Sequence, residues 1–138
     1  MPNSITSALA EFCQADTPAT RQRLLTALAE STLIFPIASP STAETMQLAF
    51  TSDEMGRPVL PGFSDEDHVR QWLPQGTDIA GAPASAFLPA VLSGPFAGLV
   101  INARSETSVF VDRAVIERLV DGQLPSFTEA DAQLIQRW

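Results

Sequence analysis

Between residues 51 and 72 the chain reads TSDEMGRPVLPGFSDEDHVRQW, which gathers five carboxylates around the only histidine, His68. Carboxylates and imidazoles hold divalent metals and pass protons, so this stretch is the first candidate for chemistry. A metal site here would take Asp65, Glu66, Asp67 and His68 as ligands, with Asp53 or Glu54 joining from upstream. Spacing argues against it. Successive residues of a helix point about 100° apart, so four neighbours cannot converge on one ion. Only Asp65 with His68, or Ser64 with His68, stands three or four residues apart. The competing role is helix-start chemistry. Ser64 would be the cap, and the three acids would fill the first turn, where the helix dipole favours each by about 0.3–1 kcal/mol. That role takes precedence, so no metal, catalytic or cofactor-binding residue is assigned and no cofactor is expected.

As a general base, His68 lacks a nucleophile at a recognisable spacing, and neither GxSxG nor HExxH occurs. A histidine early in a short helix is expected at the surface. Gly81 and Gly94 are too far apart to cradle a phosphate. Asn102 follows the apolar run GLVI, where an asparagine ends a strand before a turn more readily than it lines a pocket. Trp72 is expected to anchor the short helix, with a contact role as the alternative. Phe63, Asp65, His68 and Trp72 are the residues most suited to a candidate interaction surface, bordered by the acids.

These side chains need a scaffold, and the bulk composition bounds it. A chain of 138 residues has the length of one ordinary domain and can bury roughly two thirds of its unfolded surface. Hydrophobic residues make up 45%, which excludes general disorder. Sixteen acids against eight arginines, with no lysine, give a net charge of −8. Such a chain repels phosphate backbones and anionic lipid surfaces, so neither nucleic acid nor membrane is an expected partner. No run approaches the roughly 18 apolar residues of a membrane span. The opening MPNSITSALAEFCQ lacks the features of a signal peptide, so a cytoplasmic location is expected. The single cysteine, Cys13, excludes an internal disulfide and a cysteine-based zinc site, and its apolar neighbours predict a buried, inert thiol.

Hydrophobic spacing places the elements. Ile5, Leu9, Phe12 and Cys13 predict a helix over 4–14, and Thr17 with Pro18 caps a second one running to about Glu30. TLIFPI reads as a buried strand, ended by Pro36 at a sheet edge or bulge, and TMQLAFT as a half-buried strand. SDEMGR makes a hairpin turn with Gly56 at positive φ, followed by extended RPVLPGF. Beyond the short helix at Ser64, which Pro74 and Gly76 end, a helix is expected near 83–93, with Pro89 able to kink it. GLVIN and SVFVD form a strand pair joined by ARSET. Asp112 caps a helix over 113–121, closed by Gly122. Thr128 opens a last amphipathic helix. The whole predicts a single α+β domain with a mixed, mostly antiparallel sheet and flanking helices. Residues 1–125 form its body, including the N-terminal helices, and 126–138 the C-terminal amphipathic helix.

Three segments together resemble a known family. STLIFPI, then the alternating strand with DEMGRPVLPGFSDEDHVRQW, then GLVINARSETSVFVDRAVIERLVDG are similar in order and spacing to the N-terminal domain of the SseB family. The likeness runs from about residue 20 to 125. The family often has Phe-Thr where Phe63-Ser64 stands, and serine keeps the capping chemistry. It often has proline where Ala103 stands, which puts the following turn in question. The resemblance implies a bacterial α+β domain and brings no active-site residues to transfer. Larger members carry a second, C-terminal domain that this chain is too short to include. The expected function is therefore a non-catalytic protein-interaction or regulatory module with a protein partner, self-association being a further option. A small-ligand sensor with a pocket lined by the apolar residues of 87–101 is the first alternative. A metal-dependent enzyme using Asp65 and His68, joined by Asp53 or Glu54, is the second.

Overall fold

Ile5, Ala8, Leu9 and Phe12 recur at helical spacing and are all buried, which fixes the inner face of α1 (Ser4–Gln14). The computed structural model describes residues 4–37, 51–52, 55–72, 79–122 and 135–137. Thr17 caps α2 (Pro18–Ala29) through a reciprocal box with Thr20, each hydroxyl accepting from the other residue's backbone N–H. Arg21 is buried and pairs with Asp16, while Arg23 reaches Glu11 at 2.6 Å and ties α2 to α1. Leu24, Leu25 and Leu28 turn inward, and Cys13 packs partly buried against the same core.

The strands follow as β1 (Thr32–Pro36), β2 (Thr51–Ser52), β3 (Pro58–Gly62), β4 (Ile79–Pro83), β5 (Gly98–Ile101), β6 (Val109–Asp112) and β7 (Ile135–Arg137). Between them lie α3 (Glu66–Trp72), α4 (Ala84–Ser93) and α5 (Arg113–Val120). β1 and β4 pair antiparallel as a small sheet. The larger sheet runs β2-β3-β5-β6-β7, antiparallel except for the parallel β3–β5 pair. Ile34 and Phe63 exchange backbone hydrogen bonds of 2.8 Å each, so the small sheet is stitched to the end of β3. This is the α+β fold that the sequence predicts.

Alternation splits the larger sheet between two cores. Leu60, Leu99, Ile101, Val109, Val111 and Ile135 join the helices in the main core. Val59, Val100 and Phe110 face the other way, with Ala103 and the partly buried Trp72. Burial on both faces explains why GLVI is continuously apolar. At Gly98 a Cβ would lie 2.3 Å from the Val111 carbonyl oxygen, so only glycine fits that start of β5.

Several local expectations hold. Gly56 has φ +80° between β2 and β3. Asp112 accepts from the Ala114 amide at 2.9 Å to cap α5, and Gly122 closes it at φ +78°. Helix α4 runs through Pro89 on its exposed side.

Two expectations need correction. IAGAP, to which the hydrophobic spacing assigns no strand, is strand β4, because the edge of β1 supplies hydrogen-bond partners that override weak β propensity. At the C-terminal end, Ile135–Arg137 is a strand paired to β6 and not the last turn of a helix, with Ile135 fully buried in the main core. Most of the alternating strand before Thr51, the helix end at Pro74 and Gly76, and residues 123–134 lie outside the described residues.

Arg113 holds the end of α4. Its Nη1 donates to the carbonyls of Val91, Gly94 and Phe96 at 3.0–3.1 Å, and its Nη2 to Leu92 at 2.6 Å. The Val91 and Leu92 carbonyls belong to the last turn, which a helix C-terminus leaves without partners, while Gly94 and Phe96 lie just beyond it, and the cation also complements the dipole there. Removing the guanidinium in Arg113→Met is expected to lower unfolding free energy by about 1–3 kcal/mol in urea titration, with Arg113→Lys recovering under half. A midpoint unchanged from the parent would show that water replaces the guanidinium without loss.

Candidate functional site

The segment from Phe63 to Trp72 is placed by what surrounds its first two residues. Phe63 sits at the bridge to β1, and its ring is fully buried 5.6 Å from the Trp72 ring, tilted by 44°. Phe63 therefore supports the candidate surface from beneath and offers no accessible area of its own, a correction to its expected exposure. Ser64 follows, also buried. Its N–H donates to Asn102 Oδ1 at 2.9 Å, and its Oγ accepts from Asn102 Nδ2 at 3.0 Å. A backbone amide only donates, so the Asn102 oxygen must face it and the amide orientation is unambiguous.

Asn102 is itself completely buried, with φ +55°, a conformation asparagine tolerates better than most residues. Its N–H donates to the Gly62 carbonyl at 2.9 Å, and its own carbonyl accepts from Ser105 N–H and Oγ. One residue thus ends β5, starts the hairpin and grips the β3–α3 junction 38 positions away. The turn role read from sequence holds, and the long-range contact was not visible there.

With both Ser64 groups engaged, the cap of α3 is Asp65 and not Ser64. Asp65 Oδ1 accepts from the His68 amide at 2.9 Å and from His68 Nδ1 at 2.7 Å, while Oδ2 accepts from the Ser64 hydroxyl at 3.3 Å. An ionised carboxylate cannot donate, so the imidazole carries its proton on Nδ1 and turns Nε2 away from Asp65. Partial burial alone would raise the Asp65 pKa. The His68 amide, the imidazole bond, the His68 charge and the Ser64 hydroxyl together outweigh burial and hold the carboxyl below its ordinary value.

The accessible part of the site is narrow. The Asp65 side chain is 44% exposed and that of His68 only 21%, less open than expected for a surface histidine. Asp65, His68 and Trp72 lie at i, i+3 and i+7, along one stripe of the helix. Val69 is buried beneath, while Glu66, Asp67 and Arg70 form loose, exposed pairs at 3.5–3.6 Å, contributing little.

The geometry also decides between chemistries. In a serine–histidine–carboxylate triad the imidazole stands between hydroxyl and acid. Here the carboxylate stands between them, so His68 does not contact the Ser64 hydroxyl in the order that activates a nucleophile. Asp65 and His68 do meet, as their spacing allows, but among the described residues no three metal-ligating side chains converge. Asp53 and Glu54 lie outside the described residues. The apolar residues proposed to line a sensor pocket, including Phe87, Leu88, Val91, Leu99 and Ile101, are packed into the main core. No helix among the described residues is long and apolar enough to cross a membrane.

A family model described as the SseB protein N-terminal domain matches residues 5–118. No curated protein and no solved structure matches the chain.

Two measurements test the site. Asn102→Ala leaves the buried Ser64 amide without its acceptor and is expected to lose about 1–3 kcal/mol. Ser64→Ala loses about 1 kcal/mol, and the double variant should reveal a coupling of roughly 0.5–1.5 kcal/mol. Strict additivity would mean that the two side chains act independently. Because the Asp65 pKa is lowered on folding, its stabilisation is complete above the ordinary value of 3.8 and is lost as pH falls through the lower folded value. Urea midpoints of Asp65→Asn should therefore decline less steeply below pH 4 than those of the parent, and equal slopes would contradict this account.

Proposed function

Since the chain belongs to the SseB family through its N-terminal domain, we propose that it is a non-catalytic protein-interaction module whose contact surface is the half-buried stripe of α3 and its cap, at Asp65, His68 and Trp72. The observation that carries this reading is the arrangement of Asp65, His68 and Trp72. Three side chains of different chemistry share one face of a helix whose start is pinned by buried hydrogen bonds. A surface held on a rigid element loses little conformational entropy when a partner docks. Trp72 supplies partly buried aromatic area, of the kind that anchors interfaces, and Asp65 supplies an ionised carboxylate beside it.

The polar groups that could do chemistry in this segment support the same reading. Ser64 is engaged by Asn102, and Asp65 is engaged by the helix start and the imidazole. What remains accessible is suited to contact and recognition. The net charge of −8 favours a partner with complementary basic groups, and steers its approach.

The test uses variants that leave the scaffold in place. Trp72→Phe keeps an aromatic ring against Phe63, and His68→Gln keeps a polar side chain above Asp65. Both are expected to fold with urea midpoints near the parent's. Affinity purification from native-host lysate should retain a defined protein on the parent chain, with at least tenfold less on either variant. Equal retention by folded variants would place the contact surface elsewhere.

A further inference from the structure

Ile34 bonds Phe63 through both its N–H and its carbonyl, so both groups point away from β4. Ile34 also stands opposite Gly81. In an antiparallel pair, opposed residues alternate between exchanging hydrogen bonds and turning both groups outward. The Ile34–Gly81 pair is of the second kind, so the N–H and carbonyl of Gly81 point to the free side of β4. The same alternation turns those of Ile79 outward, together with the carbonyl of Pro83. Two further observations fit this parity. The Ala84 N–H donates to the Ser31 carbonyl at 3.0 Å, in step with bonded pairs at Leu33–Ala82 and Phe35–Ala80. Pro36 and Pro83, which have no N–H, both fall at pairs that need none.

The small sheet ends at β4, and among the described residues no strand covers that side. Ile79, Gly81 and Pro83 are exposed, in step along one face. The edge has neither a charge nor a bulge to discourage pairing. A Cβ at Gly81 would meet only Thr32 Cγ2, at 3.9 Å, which leaves open room there for a large side chain from a neighbouring strand.

We propose that β4 takes up an extended segment of a partner protein as an added antiparallel strand, with an aromatic or β-branched residue opposite Gly81 and lysine or arginine on its flanks. Such a strand exchanges two hydrogen bonds with Gly81 and two with Ile79, and donates one to Pro83. Charge selects the occupant. The chain carries −8, so a second copy is repelled and a basic segment is attracted. From Gln71 to Ala103 the sequence contains no basic residue to oppose lysine flanks. This edge lies across β1 from Phe63 and does not depend on the α3 stripe.

The test titrates the full chain with a synthetic peptide of alternating valine and threonine around a central phenylalanine, with lysines at both ends. Saturable binding is expected below about 1 mM, with the Gly81 and Ile79 amides gaining protection from hydrogen exchange. Gly81→Pro removes an outward N–H that β1 does not use, and should weaken binding about tenfold. Gly81→Ala keeps that N–H and should bind like the parent, as should Trp72→Phe. Methylating the backbone nitrogen of the peptide's phenylalanine should also cost about tenfold, and asks the same question of the unaltered chain. No binding by about 1 mM, or equal binding of the methylated peptide, would overturn the proposal. Equal affinity for an aspartate-flanked peptide would overturn the basic occupant, and dimerisation of the parent through a protected Gly81 amide would replace it with a second copy. A loss confined to Trp72→Phe would place the peptide on α3 and overturn the edge site.

Discussion

A buried carboxamide must satisfy its donors and acceptor or destabilise the fold, and Asn102 meets that demand through Ser64. The contact joins the end of β5 to the residue that precedes the α3 cap. It works alongside the Asn102 N–H bond to Gly62, which extends the parallel β3–β5 pairing by one step. From there the consequences run outward. With Ser64 held, Asp65 is set at the cap position, Asp65 orients the imidazole, and the helix carries Trp72 back over Phe63. Displacing the amide would unsettle the whole stripe at its root.

Magnitudes separate what positions this surface from what decorates it. The exposed Arg70 pairs belong to a class worth about 0–1 kcal/mol. Groups buried with Asn102 belong to a class in which a lost partner costs about 1–3 kcal/mol. Arg113 plays a comparable part at the other end of the crossover from β3 to β5, where it gathers four carbonyls at the end of α4. One side chain thus fastens the crossover where it leaves β3, and the other fastens it where α4 leads into β5. Between them, apolar packing on both faces of β5 does the rest.

Local signals were strong enough to read much of this fold from sequence. Thr17-Pro18, Asp112 and Gly122 mark their helix ends through chemistry that acts within a few residues. The continuous apolar run GLVI announces a strand covered on both faces. The readings that failed each depended on a distant partner. Ser64 and Asp65 are both competent caps, and the choice fell to Asp65 because Asn102, far away in sequence, occupies Ser64. IAGAP has few residues that favour strands, so β4 exists through its pairing with β1. Ile135 fits a helical pattern as well as a strand, and the open side of β6 decided it. Phe63 resembled a surface aromatic because nothing nearby in sequence indicates its bridge to Ile34. The candidate stripe was legible in composition, while its support was not.

The most direct test of the Asn102–Ser64 contact as the root of this surface is native-state hydrogen exchange at the Ser64 amide. If the amide is buried and bonded to Asn102 as described, it should exchange only through openings close in free energy to those of the β5 backbone. Exchange of the Ser64 amide through small local openings, while β5 remains protected, would show that α3 detaches without the sheet and would contradict the account.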